Sequence, residues 1–136
     1  VGGGFNVSFT AGLLELSPVS IAAGWEFAPQ SGAINNAAGT LSDAAFTTFA
    51  SPKSGDFSAA TLSFKAIGPG TATVRLTPSV SFPFTDVDVN AVNPSFGSAT
   101  INISAVPEPS TVLLVLAGLA MMVYMSRRQN KQRKEG

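Results

Sequence analysis

The chain of 136 residues reads as all-β, an antiparallel β-sandwich followed by one C-terminal transmembrane helix, and three features of the sequence predict this. Short segments up to residue 105 alternate apolar and polar side chains, the period-two pattern of half-buried strands, with Gly, Pro and Asn between them. No amphipathic helical pattern of useful length precedes residue 110. Beyond that point comes one charge-free apolar run, Thr111 to Met125, and then a cluster of basic residues.

Gly3 to Thr10 reads as the first strand, with Phe5, Val7 and Phe9 opposite Asn6, Ser8 and Thr10. Leu13-Leu14-Glu15-Leu16 follows and is broken by Ser17-Pro18. Val19 to Phe27 is a further short apolar stretch that would put Trp25 and Phe27 on one side of a strand, whereas the small, polar Gln30 to Gly39 reads as loop. Leu41, Phe46 and Phe49 anchor a strand within Thr40 to Ala50. Phe57 to Ala66 alternates Ala60, Leu62, Phe64 and Ala66 against Thr61, Ser63 and Lys65, and Thr71 to Thr77 alternates Ala72, Val74 and Leu76 against Thr73, Arg75 and Thr77. Gly68-Pro69-Gly70 between them predicts a hairpin. Val80, Phe82 and Phe84 repeat the pattern, with Pro83 pushing the segment to an edge or a bend. Gly97 to Ser104 is the last strand, with Ala99, Ile101 and Ile103 inward.

The segments Ser54-Gly55-Asp56, Ala60 to Ala66 and Gly70-Thr71-Ala72-Thr73-Val74 resemble the cohesin-like sandwich domains, as does Phe5 to Phe9 running into Leu13-Leu14-Glu15-Leu16. The resemblance spans Phe5 to Ser104 and implies a jelly-roll sandwich that binds or scaffolds rather than catalyses. It also implies one or two strands ahead of Phe5 that this chain does not show. Val1-Gly2-Gly3-Gly4 has neither the basic nor the apolar region of a signal peptide, so the chain is expected to be an N-terminally incomplete or processed product.

The C-terminal thirty residues form an address label. Pro107-Glu108-Pro109 resists helix, because Pro109 disfavours the α region at Glu108 and lacks an amide donor. The fifteen residues of Thr111 to Met125 would span about 22 Å as a helix. With Ser110 and Ser126 they reach the lower limit for a hydrocarbon core of about 30 Å. Arg127 and Arg128 then act as a membrane stop that snorkels to the interface and predicts a cytoplasmic C-terminus. Breaker, apolar helix and basic stop in this order resemble the PEP-CTERM sorting signal. That resemblance implies export from a Gram-negative bacterium, exosortase as the partner that recognises Pro107, Glu108 and Pro109, and an association with exopolysaccharide and biofilm matrix. The basic tail, residues 126–136, is longer than the few basic residues usual in such signals.

The formal charge of zero is a cancellation between these halves. Residues 1–110 hold Lys53, Lys65 and Arg75 against Glu15, Glu26, Asp43, Asp56, Asp86, Asp88 and Glu108, a net −4. Arg127, Arg128, Lys131, Arg133 and Lys134 against Glu135 give the tail +4. An acidic body argues against nucleic acid, and a basic end argues for a membrane surface. The chain has no Cys and no His, which removes disulfides, Ser-His and Cys-His nucleophile pairs and ordinary zinc sites. Nothing in the sequence asks for a cofactor.

Two candidate sites remain in the body. Asp86, Asp88 and Asn90 alternate along Asp86-Val87-Asp88-Val89-Asn90 and would offer calcium three oxygen side chains, but Ala91 and Gly97 stand where a calcium loop wants Gly and a carboxylate. The favoured reading is the solvent face of a strand or its exit loop. Trp25 and Phe27, with Phe46 and Phe49, would make a platform for glycan stacking, although such rings more often form core. The expectation is therefore two domains. Residues 1–105 form a non-enzymatic sandwich, and residues 106–136 a sorting signal with its helix at 111–125. The protein would be exported, held in the inner membrane with residues 1–110 outside the cytoplasm, and delivered to the cell surface or extracellular matrix. There it would meet exopolysaccharide or another surface protein. The alternatives are a carbohydrate-binding module acting on exopolysaccharide and a permanently anchored single-pass membrane protein.

Overall fold

The computed structural model describes residues 1–105 and 110–134. They fall into two compact units, Val1–Ala105 and Val106–Gly136. Every strand ladder of the first is antiparallel, and the second is described as one helix.

The main layer of the body is a five-stranded sheet built on β1 (Gly2–Phe9), with β4 (Ala33–Asn35), β5 (Thr40–Thr47), β8 (Gly70–Pro78) and β9 (Ser98–Ile103) in the order β4-β5-β1-β8-β9. The pairing fixes which side chains look inward. Phe5 lies opposite Ala44 and Pro78, Val7 opposite Leu41 and Leu76, and Phe9 opposite Val74, so one face is continuous and apolar. The other face carries Asn6, Ser8, Thr71, Thr73 and Arg75, which is why the alternation was readable.

The second layer is two short ladders in line. β2 (Leu14–Leu16) pairs with β7 (Phe64–Ala66), and β3 (Ser20–Ile21) pairs with β6 (Ala60–Thr61). The Ser17 amide still donates to the Ser63 carbonyl, at 3.0 Å, so Pro18 interrupts one longer pairing rather than ending it. Leu14, Leu16, Val19 and Trp25 from this side meet Phe5, Val7, Phe9, Leu41, Phe46 and Val74 in a single core, completing a sandwich.

Several expectations about the body are corrected. Gly68-Pro69-Gly70 does not close a hairpin, because β7 pairs with β2 while β8 pairs with β1 and β9. The link crosses between layers: the Ile67 amide donates to the Leu13 carbonyl, and Leu13 lies over Gly70, where an added Cβ would stand 3.1 Å from Leu13 Cδ1. The segment Gln30 to Gly39 holds an edge strand, β4, as well as loop. No strand forms at Trp25 to Phe27; the indole is buried while Phe27 is 54 % exposed against Phe49 at 64 %, so neither phenylalanine anchors the core. Ala99 is exposed, leaving Ile101 and Ile103 as the core contacts of β9.

After β8 the chain bulges out at Ser79–Ser81 and returns to β1, with the Gly4 amide donating to the Phe82 carbonyl at 2.8 Å and Thr85 bridging Gly2. This is the bend expected at Pro83. The Phe84 ring covers Gly3 so closely that a Cβ there would enter it, which explains the glycines at the start of a central strand.

The helix α1 runs Thr111–Lys134, 24 residues or about 36 Å, and so continues through the basic tail instead of stopping at residue 125. No Gly or Pro follows Met125 before Lys134, and Arg, Lys and Gln are good helix formers, so nothing local ends the helix there.

The C-terminal sorting segment and the body candidates

The first described element of the tail is Ser110, whose carbonyl accepts the Leu114 amide at 2.9 Å and opens the helix. From Val112 to Met125 every side chain is exposed and none is charged, so the helix has no polar face to turn to water. An 18-residue stretch, Val112–Gln129, is long and apolar enough to cross a membrane, about 27 Å against a hydrocarbon core of about 30 Å. It includes Arg127 and Arg128 at its C-terminal end, where long cationic side chains can reach headgroups. Tyr124 lies one turn earlier, in the position of an interfacial aromatic. The Ser126 hydroxyl donates to the Val123 carbonyl at 3.0 Å, so its polar group is satisfied within the helix. Pro107, Glu108 and Pro109 lie outside the described residues.

The body candidates are placed separately. Trp25 is 2 % exposed, its ring edge-on to Phe46 at 4.7 Å and to Phe57 at 5.3 Å, with Nε1 donating to the Ser58 carbonyl at 2.9 Å. Phe27 instead packs on Phe49, centroids 4.7 Å apart, at the surface. The structure therefore divides the two candidate glycan residues between core and surface. Asp86 spends its carboxylate on its own loop. Oδ1 accepts the amides of Asp88 and Asn90, both at 2.9 Å, and Oδ2 accepts the Asn90 side-chain amide at 3.2 Å. Those bonds, those from Asn90 first, hold the Asp86 carboxyl below its usual range. The lone pairs that calcium would need are thus turned toward N–H groups, and Asn90 contributes a donor.

Glu26, which has no motif around it in the sequence to mark a role, anchors a loop. Its Oε1 accepts the Thr48 hydroxyl at 2.7 Å and the amides of Ala50 and Phe49 at 3.0 and 3.3 Å. The Thr48 bond, then the backbone bonds, lower its pKa to about 2. Asn36 was missed: its side-chain amide accepts from the Leu16 amide at 2.8 Å and donates to the Leu16 carbonyl at 3.2 Å, closing the open edge of β2. No local pattern announces either residue, because their partners are about twenty positions away.

An all-β body joined to one membrane-length helix with a basic end defines the class: an anchored domain. The particular signal is identified by comparison, since residues 105–129 match the PEP-CTERM protein-sorting motif. No curated protein and no solved structure matches the chain. The motif implies export, a membrane-anchoring helix before processing, and exosortase as the processing partner.

Proposed function

We propose that the protein is a non-catalytic surface or matrix protein whose body binds or scaffolds outside the cytoplasm after exosortase has processed its tail. The match of residues 105–129 to the sorting motif is the observation that carries this reading. The body supports it in kind. It is a small antiparallel sandwich, and the carboxylates of Glu26 and Asp86 are engaged in holding loops. Exopolysaccharide or another surface protein is the partner class this location offers. A glycan platform on Trp25 gains no support, because the indole is in the core.

The test is expression in a host with an active exosortase, comparing wild type with Glu108→Ala. Processing is expected to fail in the variant, which should accumulate at full length in the inner membrane while the melting temperature of the body stays unchanged. Equal processing of the two chains would remove Glu108 from the recognised site.

A further inference from the structure

The two ends of the sandwich differ in charge. The strand pairings bring the turns at residues 10–13, 36–39 and 67–69 to one end, together with Ile103, the last residue of β9, opposite Gly70. None of residues 10–14, 35–40, 66–71 and 103–105 is charged. The loops of the other end, at residues 22–32, 48–59 and 79–97, hold Glu26, Asp56, Asp86 and Asp88 against Lys53. Val1 also belongs to that other end, through the pairing of Gly2 with Thr47. The charge-free turns form one surface, with the first wedged between its neighbours. A Cβ on Gly39 would stand 3.1 Å from the Ala11 nitrogen, and one on Gly68 would stand 3.1 Å from the Gly12 carbonyl.

This end presents apolar groups to its surroundings. Ile67 is 50 % exposed, and Ala11, Ala37, Ala38 and Pro69 are exposed beside it. Amides in all three turns are bonded within the body. The Leu14 amide donates to the Thr10 carbonyl at 3.1 Å, the Ala38 amide to Asn35 Oδ1 at 3.0 Å, and the Ile67 amide to the Leu13 carbonyl at 2.9 Å. Those amides lose no water partner when the turns are covered, which removes part of the usual cost of burying a loop. The chain also leaves the body here. Ile103 precedes Ser110, where the helix opens, by seven residues, and so short a segment reaches at most about 25 Å. While the helix is in the membrane, that tether keeps the end near lipid at high effective concentration, so a weak contact suffices.

We propose that this charge-free end rests on the lipid surface while the tail is anchored, with Ile67, Ala37 and Ala38 at the headgroup boundary and the acidic loops turned away. The proposal rests on the reading of the tail as a membrane anchor. Lipid is the occupant because the tether supplies it, because apolar tips gain by leaving water, and because a face without acids is not repelled by anionic headgroups.

The chain has no Cys, so one introduced thiol carries a label at one place. Ala38→Cys and, at the other end, Val87→Cys change exposed residues. Each is labelled with nitrobenzoxadiazole, and the full chain is reconstituted in phosphatidylcholine vesicles with and without doxyl-labelled lipid. Flotation with the vesicles reads the anchor separately, and protein that fails to float would overturn the anchor and this proposal with it. In floated protein, doxyl lipid is expected to quench the label at residue 38 several-fold more than the label at residue 87. Adding Ile67→Glu is expected to bring the two to equal quenching. Ala37→Glu, at an exposed turn, makes the same test if near-UV circular dichroism shows that the Ile67 variant loses the fold. Equal quenching at the two positions without these changes, or unchanged quenching in the folded Glu variants, would overturn the proposal. So would a label at residue 38 shielded from water but untouched by doxyl lipid, which would assign this end to a second copy of the chain.

Discussion

Glu26 is exposed, yet it orders the loop after β5 by gathering three donors on one oxygen. A carboxyl whose folded pKa is about 2 against an ordinary 4.5 adds stability that is fully present above 4.5 and lost as pH falls from there through 2. Wild type should therefore lose melting temperature across that window, whereas Glu26→Gln should start lower at neutral pH and show a flatter profile between 4.5 and 2. A variant profile parallel to wild type would assign the acid sensitivity elsewhere. Trp25 poses the opposite case. Its burial makes Trp25→Ala a core deletion costing about 3–5 kcal/mol, measurable by denaturant unfolding, so any binding lost with it reports the fold as much as a contact. That Trp25 would be buried was legible, since large rings are usually worth more inside. The partners of Glu26 were not legible, because Thr48 comes within reach only where the irregular segment after Trp25 runs beside β5, with the Phe27 amide on the Thr47 carbonyl and Gln30 bridging Ala45.

Strands were easier to find than their neighbours. The period-two pattern located β1, β2, β5, β8 and β9, since each has one face on the core. It failed at Gly68-Pro69-Gly70, because alternation tells which face is buried and not which strand lies alongside. A Gly-Pro-Gly link suits an arch between layers as well as a tight turn, and packing of Leu13 over Gly70 decides for the arch. The edge strand β4 was hidden because only Ile34 of its three residues packs on the core, which fits an edge that needs little burial. Asn36, in the turn after β4, ties this layer to the other by pairing with both backbone groups of buried Leu16. Asn36→Ala should leave those groups unmatched and cost about 1–3 kcal/mol in denaturant unfolding. Asn36→Asp keeps the acceptor for the Leu16 amide but loses the donor to its carbonyl, so an intermediate cost is expected. No loss in either variant would show that water serves the β2 edge equally well.

At the scale of the molecule, charge and hydropathy split the chain where function does. The body carries the acidic excess and the sandwich core, and the tail carries the apolar helix and the basic excess. This division was readable because a membrane imposes a stricter pattern than a globular core: an uninterrupted apolar stretch with cations beyond it. Less legible was the helix end, since the apolar pattern stops at Met125 while nothing in the sequence between Met125 and Lys134 breaks a helix. Loops also hid the aromatic cluster, since Trp25, Phe57 and Phe84 come from three separate segments. The sorting reading turns on the fate of the tail. The direct measurement is intact-mass spectrometry of the mature protein from a host with an active exosortase. Loss of Arg127 to Gly136, with the body intact, is the result expected of a processed sorting signal. A mature chain that still ends in Arg127 to Gly136 would contradict it and leave a permanently anchored membrane protein.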